Sequence, residues 1–153
     1  MSFNQLQKLL STYKANKIVV VGLGNHFCSD DRAGLMLFEK LKTFQQLQKA
    51  FFVEAGCNPE NYLGIIIDRD PEMILFVDAA ENKTNSDGIS LYSADELEDK
   101  EFSTHAYSIG FIEKYIKMSI DADIHYLGIN ISNSRPGTQM SDKVVNHINT
   151  FLK

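Results

Sequence analysis

Residues 17–34 read KIVVVGLGNHFCSDDRAG, and this stretch decides the fold. It opens with a continuous apolar and β-branched run over 17–22, which is typical of a strand buried on both faces of a parallel sheet. A loop containing Gly24 follows, and two adjacent carboxylates, Asp30 and Asp31, come where the chain is expected to enter a helix. The order of strand, glycine loop and helix raises the question of whether the loop holds a phosphate or a cation.

The loop does not fit a nucleotide. The dinucleotide-binding fingerprint G-x-G-x-x-G needs a third glycine so that helix and strand can pack closely, and Phe27 occupies that position. The Gly-Lys-Ser/Thr sequence of NTPase phosphate loops does not follow either. Asp30 and Asp31 would also repel a phosphate from the start of the helix. The loop therefore indicates either a cation site or a helix cap.

Strand and helix patterns alternate along the rest of the chain. Further apolar runs predict strands at 51–55, 73–78, 89–92 and 124–130. Apolar residues at three- and four-residue steps predict five helices. Their stripes are Phe3, Leu6, Leu9, Leu10 and Tyr13; Leu35, Leu37, Phe38, Leu41 and Phe44; Tyr62, Leu63, Ile66 and Ile67; Ile109, Ile112, Tyr115 and Ile116; and Val144, Val145, Ile148, Phe151 and Leu152. Asn58 followed by Pro59 predicts the N-cap and first residue of the third helix.

This alternation predicts an α/β fold with a single domain over residues 1–153. It is typical of a three-layer sandwich in which a mostly parallel sheet is covered by helices on both faces. Only the nine polar residues 79–87 precede the strand at 89–92, and a helical crossover between parallel strands needs a dozen or more. We therefore expect that strand to be antiparallel to its neighbour.

Composition excludes several classes of protein. The formal net charge of −5 argues against a nucleic-acid-binding protein, because phosphate backbones require a basic surface. No signal peptide or membrane-spanning run is expected, since the start of the chain is not basic and no apolar run is long enough. Cys28 and Cys57 are too far apart for a C-x-x-C motif, so free thiols and a reducing, cytoplasmic location are predicted.

Three residues are candidates for a metal site. In open α/β sheets, ligands bind at the carboxyl ends of strands near a switch in strand order. Asp31 follows the first strand by a short loop, and Asp78 ends the strand predicted at 73–78. His105 precedes the fourth helix, and two carboxylates with one imidazole suit a divalent first-row metal. The alternative is structural, with Ser29 as N-cap and Asp30 and Asp31 stabilising the first turn.

The ordered set of motifs resembles the hydrogenase maturation endopeptidases. The residues that carry the resemblance are Gly22-Leu23-Gly24-Asn25 with Asp30-Asp31, then Val77-Asp78-Ala79, then Ser103-Thr104-His105. Two further segments look most like the branch that processes the large subunit of hydrogenase 3, namely Gly56-Cys57-Asn58-Pro59-Glu60-Asn61 and Tyr126-Leu127-Gly128-Ile129. The resemblance covers nearly the whole chain.

The resemblance implies a fold, a substrate and a site. It implies a twisted, mostly parallel five-stranded sheet, and an endopeptidase that trims the C-terminal extension from the large-subunit precursor of a NiFe hydrogenase. The nickel is expected to arrive with the precursor and to contact Asp31, Asp78 and His105, and no tightly bound organic cofactor is expected. Asp30 is then mainly a capping residue. We also predict that Gly24, Asn25 and Gly56 contact the substrate.

Three alternatives remain open at this stage. Cys28 is a candidate thiol nucleophile with His105 as its base, although nothing else in the sequence indicates such a hydrolase. His26 is a candidate extra ligand, but a loop histidine at the rim of the site is the favoured interpretation. The chain also departs from the family pattern at 129–131 and 137–142, which motivates a non-catalytic, chaperone-like binder of the nickel-loaded subunit.

Overall fold

The structure is a computed structural model that describes residues 2–27, 29–80, 88–92, 106–131 and 139–152. For residues 106–108 it describes the backbone only.

Five strands form one mixed sheet in the order β2-β1-β3-β5-β4. The strands are β1 Ile18–Leu23, β2 Phe51–Gly56, β3 Met73–Ala80, β4 Ile89–Tyr92 and β5 Asp123–Asn130. Strands β2, β1, β3 and β5 are parallel. Strand β4 pairs antiparallel with β5, with Ile89 opposite Ile129, so the predicted antiparallel strand is confirmed.

Helices cover both faces of the sheet, which confirms the predicted three layers. The helices are α1 Phe3–Leu10, α2 Ala33–Leu41, α3 Leu63–Asp68, α4 Ala106–Ser119 and α5 Asp142–Phe151. Alternate residues of β1 explain the two cores: Val20 packs with α1, α2 and α5, whereas Val19 and Val21 pack with α3 and α4. Every residue of β1 is buried, as its continuous apolar sequence predicts.

Several element ends differ from the predicted ones. Helix α1 begins with a capping box between Ser2 and Gln5 but ends at Leu10. Tyr13 therefore lies beyond the helix, and its hydroxyl is directed to the start of β5. Strand β3 continues to Ala80, so Asp78 lies inside the strand and not at its end.

The third helix also starts differently from the prediction. Asn58 lies at the N-cap position and Pro59 follows it, but the Asn58 side chain makes no capping hydrogen bond. The segment Pro59–Tyr62 is a 3-10 turn that leads into α3. Within the described ranges, no helix combines the length and the apolar character needed to cross a bilayer.

Candidate active site at the carboxyl edge of the sheet

The candidate site lies at the carboxyl ends of β1 and β3, which are neighbours in the sheet. From β1 the chain continues to β2 on one side, and β3 lies on the other side, so this is a switch point in strand order. Such a point leaves a crevice outside the strand ends in open α/β sheets. The predicted position of the site at this edge agrees with the structure for Asp31 and Asp78.

Asp31 is a buried carboxylate with an unpaired oxygen. It lies in a 3-10 turn, Asp30–Arg32, that leads directly into α2, and it is 8% exposed. Its Oδ1 atom is buried and has no hydrogen-bond partner in the part of the chain that the structure describes. A buried acceptor without a donor costs about 1–3 kcal/mol, and more when it is charged. The observation therefore indicates that a cation, or a proton donor beyond the described residues, completes this site.

Asp78 is the second carboxylate of the site and is 7% exposed. Its Oδ1 accepts a hydrogen bond of 2.7 Å from the backbone N–H of Ala79, which holds the side chain in one orientation. Asp78 also lines a small cavity of about 10 Å³ that reaches Ile109 of α4 and Gly128 of β5. That volume is close to the minimum that holds one water molecule.

Gly34 allows the turn that carries Asp31 to approach Asp78. A Cβ atom at position 34 would lie 2.4 Å from the carbonyl oxygen of Leu23 and 2.7 Å from Cα of Asp78. Only glycine therefore lets the first turn of α2 rest directly on the ends of β1 and β3. As a result, the turn Asp30–Arg32 contacts β3. This turn immediately precedes α2.

The role of Gly34 was not predicted, because the dinucleotide fingerprint requires its third glycine at position 27. The residue does what the last glycine of a dinucleotide fingerprint does, since it lets helix and strand pack closely. Gly34 lies seven residues after that position, so the fixed spacing of the fingerprint does not include it. A search for any glycine in the first turn of the helix, without fixed spacing, would have found it.

The residues predicted to contact the substrate, Gly24, Asn25 and Gly56, are neighbours at the same edge. The Gly24 N–H donates to the Gly56 carbonyl at 3.1 Å, and the Asn25 N–H donates to the Asp31 carbonyl at 3.4 Å. Gly24 has a φ of +146°, and a Cβ there would lie 2.5 Å from the Asp31 carbonyl oxygen. These contacts hold the loop beneath Asp31, and their contact with a substrate stays a prediction.

Asp30 and Asp31 lie in the first turn after Ser29, as the capping interpretation predicts, but the predicted Ser29 cap is not formed. Ser29 occupies the N-cap position, but its side chain makes no capping hydrogen bond. Both oxygens of Asp30 instead accept hydrogen bonds from Ser141, from the backbone N–H at 2.7 Å and from the hydroxyl at 3.0 Å. Ser141 is the N-cap residue of α5, a partner that no local pattern indicates.

Two predicted residues lie outside the described part of the chain. They are His105, the predicted third ligand, and Cys28, the alternative nucleophile. The predicted convergence of Asp31, Asp78 and His105 therefore stays a prediction. Within the described residues, no group of three or more His, Cys, Asp or Glu side chains is arranged to hold a metal ion.

His26 is an exposed loop residue, and its position at the rim of the site stays a prediction. Its Nε2 is 3.4 Å from Glu54 Oε1 on β2. The thiol of Cys57 is reduced and exposed, and its Sγ donates to the Gly24 carbonyl at 3.4 Å.

Comparisons with known proteins point to one group of enzymes. No family model matches the chain. The chain is 31% identical over 120 residues to a protein from Methanocaldococcus jannaschii that bears the name of a hydrogenase maturation protease, covering 74% of this chain and 71% of that one. A second protein from the same organism, with the same name, is 28% identical over 119 residues, which is 77% of this chain and 73% of that one.

Solved structures show the same fold. The crystal structure of the NiFe hydrogenase maturation protease HycI from Thermococcus kodakarensis superposes with a TM-score of 0.79 at 24% identity, covering 94% of this chain and 91% of that one. A crystal structure of the hydrogenase 3 maturation protease has a TM-score of 0.73 at 24% identity, with coverage of 88% and 85%.

Proposed function

Because the chain belongs to the hydrogenase maturation protease family, we propose that it removes the C-terminal extension from the large-subunit precursor of a NiFe hydrogenase. The chain is thus a hydrolase with a role in hydrogenase maturation. The finer part of the proposal is that the nickel is cargo of the precursor and directs cleavage. The proposal also includes a cytoplasmic location, which the reduced thiol of Cys57 suits.

The observation that carries the proposal is the buried Oδ1 of Asp31, which has no partner among the described residues and lies in a turn that contacts the strand of Asp78. Folding spends free energy to bury an acceptor that nothing in the described chain satisfies. Hard carboxylate oxygens with an imidazole form a donor set that suits a first-row divalent ion. A site with few protein ligands also leaves coordination positions open for the substrate.

The residues have separate roles in the proposed reaction. Asp31 and Asp78, with His105 as the predicted third ligand, hold the nickel-bearing end of the precursor against the edge of the sheet. The Ala79 N–H fixes the direction of the Asp78 carboxylate. When present, the metal polarises the scissile carbonyl or the attacking water. The loop at Gly24, Asn25 and Gly56 then supports the adjoining peptide.

The test is mass spectrometry of a large-subunit precursor, loaded with nickel or free of it, after incubation with the protein. We expect loss of the C-terminal extension only when nickel is present. Asp31→Ala and Asp78→Ala should each lower the rate at least about 100-fold, since each removes a group that contacts the reacting centre. Asp123→Ala is the matched control, because Asp123 lies on the same sheet at its opposite edge.

Other outcomes have distinct meanings. Cleavage of nickel-free precursor at the same rate would remove nickel from the proposal. Unchanged cleavage by Asp78→Ala would exclude its assigned role. A stoichiometric complex that never loses the extension would favour the chaperone-like alternative.

A further inference from the structure

We propose that Asp30 is a positioning residue, which holds the turn of Asp31 in its working orientation by linking it to the start of α5. We call the pair of hydrogen bonds between Asp30 and Ser141 the Asp30–Ser141 link. This inference rests on the proposed function, because the orientation of Asp31 matters only if Asp31 contacts the substrate.

The link is buried and uses both oxygens of the carboxylate. Asp30 is 0% exposed, and its Oδ1 and Oδ2 accept from the N–H and the hydroxyl of Ser141 at 2.7 and 3.0 Å. Hydrogen bonds to an ionised acceptor are about twice as strong as neutral ones. The partners are 111 residues apart, so the link joins the first helical turn after β1 to the last helix of the chain.

The Ser141 hydroxyl bonds to Asp30 and does not cap its own helix. A serine at an N-cap normally accepts a hydrogen bond from the second or third N–H of its own helix, worth about 1 kcal/mol. Ser141 makes no such bond, and its hydroxyl donates to Asp30 instead. A negative charge is also favourable at the start of α5, because the N-terminal end of a helix carries partial positive charge. The arrangement therefore favours connection between the two elements over local capping of α5.

The link can control Asp31 because it holds the residue next to Asp31 in the chain. No donor among the described residues orients the Oδ1 of Asp31. Its orientation depends on the backbone of the Asp30–Arg32 turn, which is held on one side where Asn25 N–H donates to the Asp31 carbonyl. The Asp30–Ser141 link holds the adjacent residue on the other side. Without it, the Asp31 carboxylate should sample several directions, and misplacement of about 1 Å can cost about 100-fold in rate.

The test compares variants that break the link with variants that keep it. Asp30→Ala removes both hydrogen bonds and should lower kcat about 10- to 100-fold with KM changed less than about 3-fold. Asp30→Asn should retain kcat within about 3-fold, because its oxygen can accept from the Ser141 N–H while its amide donates to the hydroxyl. Ser141→Ala removes one bond and should lie between the two. The double variant Asp30→Ala/Ser141→Ala should be no slower than Asp30→Ala, since one link can be lost only once.

A stability-matched control separates positioning from general destabilisation. Ile148→Val lies in α5 at a fully buried position, and it should weaken the fold by about 0.5–1.5 kcal/mol while leaving the link intact. It should cleave at the wild-type rate at a temperature where all variants are folded. If Asp30→Ala loses no more kcat than Ile148→Val, the proposal is overturned and the link is only structural. Should Asp30→Ala fail to fold, wild-type kcat in Ser141→Ala overturns it in the same way.

Hydrogen exchange provides a readout that is independent of cleavage. Exchange followed by mass spectrometry should be faster for the peptide covering residues 29–35 in Asp30→Ala, and unchanged there in Ile148→Val. If the wild-type protein does not cleave any precursor, the proposed function fails by itself. The exchange result then decides the link alone, because unchanged exchange in Asp30→Ala would show that Asp30 does not order this turn.

Discussion

The two edges of the sheet treat their polar side chains differently. At the amino edge, the Tyr13 hydroxyl donates to Asp123 Oδ2 at 2.8 Å and lies 3.4 Å from His125 Nε2. At the carboxyl edge, the buried Oδ1 of Asp31 has no partner among the described residues. At the amino edge these polar side chains contact one another. At the carboxyl edge an acceptor oxygen still needs a hydrogen-bond donor or a cation beyond the described residues.

The difference separates residues kept for stability from residues kept for function. Burial, assisted by the hydrogen bond to Asp123, raises the pKa of Tyr13 to about 12, and burial lowers the pKa of His125. Both groups at the amino edge are therefore neutral near pH 7, which suits a structural contact between the end of α1 and β5. A buried carboxylate oxygen without a donor destabilises the fold, and such strain is typical of functional sites.

The largest expected effect comes from Gly34→Ala, which prevents the start of α2 from packing on the ends of β1 and β3. The added Cβ would lie 2.4 Å from the Leu23 carbonyl and 3.0 Å from the Val77 carbonyl, and backbone atoms cannot rotate away. We expect the free energy of unfolding to fall by roughly 3 kcal/mol and cleavage to be lost. Urea denaturation and the precursor assay measure the two effects.

Gly64→Ala is the matched control for this prediction. Gly64 lies in α3, and a Cβ there would meet no atom within 4 Å. Replacement of a helical glycine by alanine should raise the free energy of unfolding by up to about 1 kcal/mol. Equal stability of Gly34→Ala and the wild type would show that the close approach of α2 to β3 is not required.

The second prediction compares the same substitution, aspartate to asparagine, at the two edges of the sheet. Asp31→Asn removes a buried charge that has an unpaired oxygen, so we expect the free energy of unfolding without metal to rise by about 1 kcal/mol while cleavage falls. Asp123→Asn weakens the hydrogen bond from Tyr13, so stability should fall by less than about 1 kcal/mol while cleavage persists. Urea denaturation of both variants in a chelating buffer checks this. A loss of stability in Asp31→Asn would mean that its carboxylate is already satisfied.

Most of the fold could be predicted from the sequence, because buried parallel strands have continuous apolar sequences. The strand predicted at 17–22 is observed at Ile18–Leu23, and the strand predicted at 89–92 has those bounds. The direction of β4 could be predicted because the preceding connection is too short for a crossover. Tyr13 fits the stripe of α1 by spacing, yet the helix ends at Leu10, and the Tyr13 hydroxyl bonds to β5, a contact that spacing does not predict.

The site could be predicted only in part. Asp31 was identified because it comes after a buried strand, and Asp78 because it ends the predicted apolar run of another, and parallel strands end at one edge. The Asp30–Ser141 link could not be predicted, since it joins residues 111 positions apart and depends on how α5 lies beside α2. The role of Gly34 is equally non-local, because the atoms that exclude a Cβ belong to Leu23, Val77 and Asp78.

The smallest expected effect is the pH dependence of the amino edge. Burial lowers the pKa of His125 below its usual 6.5, although the nearby Asp123 carboxylate opposes this. Between the folded pKa and 6.5 the unfolded chain therefore binds more protons than the folded chain, so this contribution to stability falls as the pH drops below 6.5. We expect the urea midpoint of the wild type to drop more between pH 7.5 and pH 5.5 than that of His125→Gln. Other titrating groups affect both proteins equally, so the difference isolates His125. Equal drops in the two proteins would show that His125 is as readily protonated in the folded chain as in the unfolded one. The amino edge would then not shield the imidazole from water.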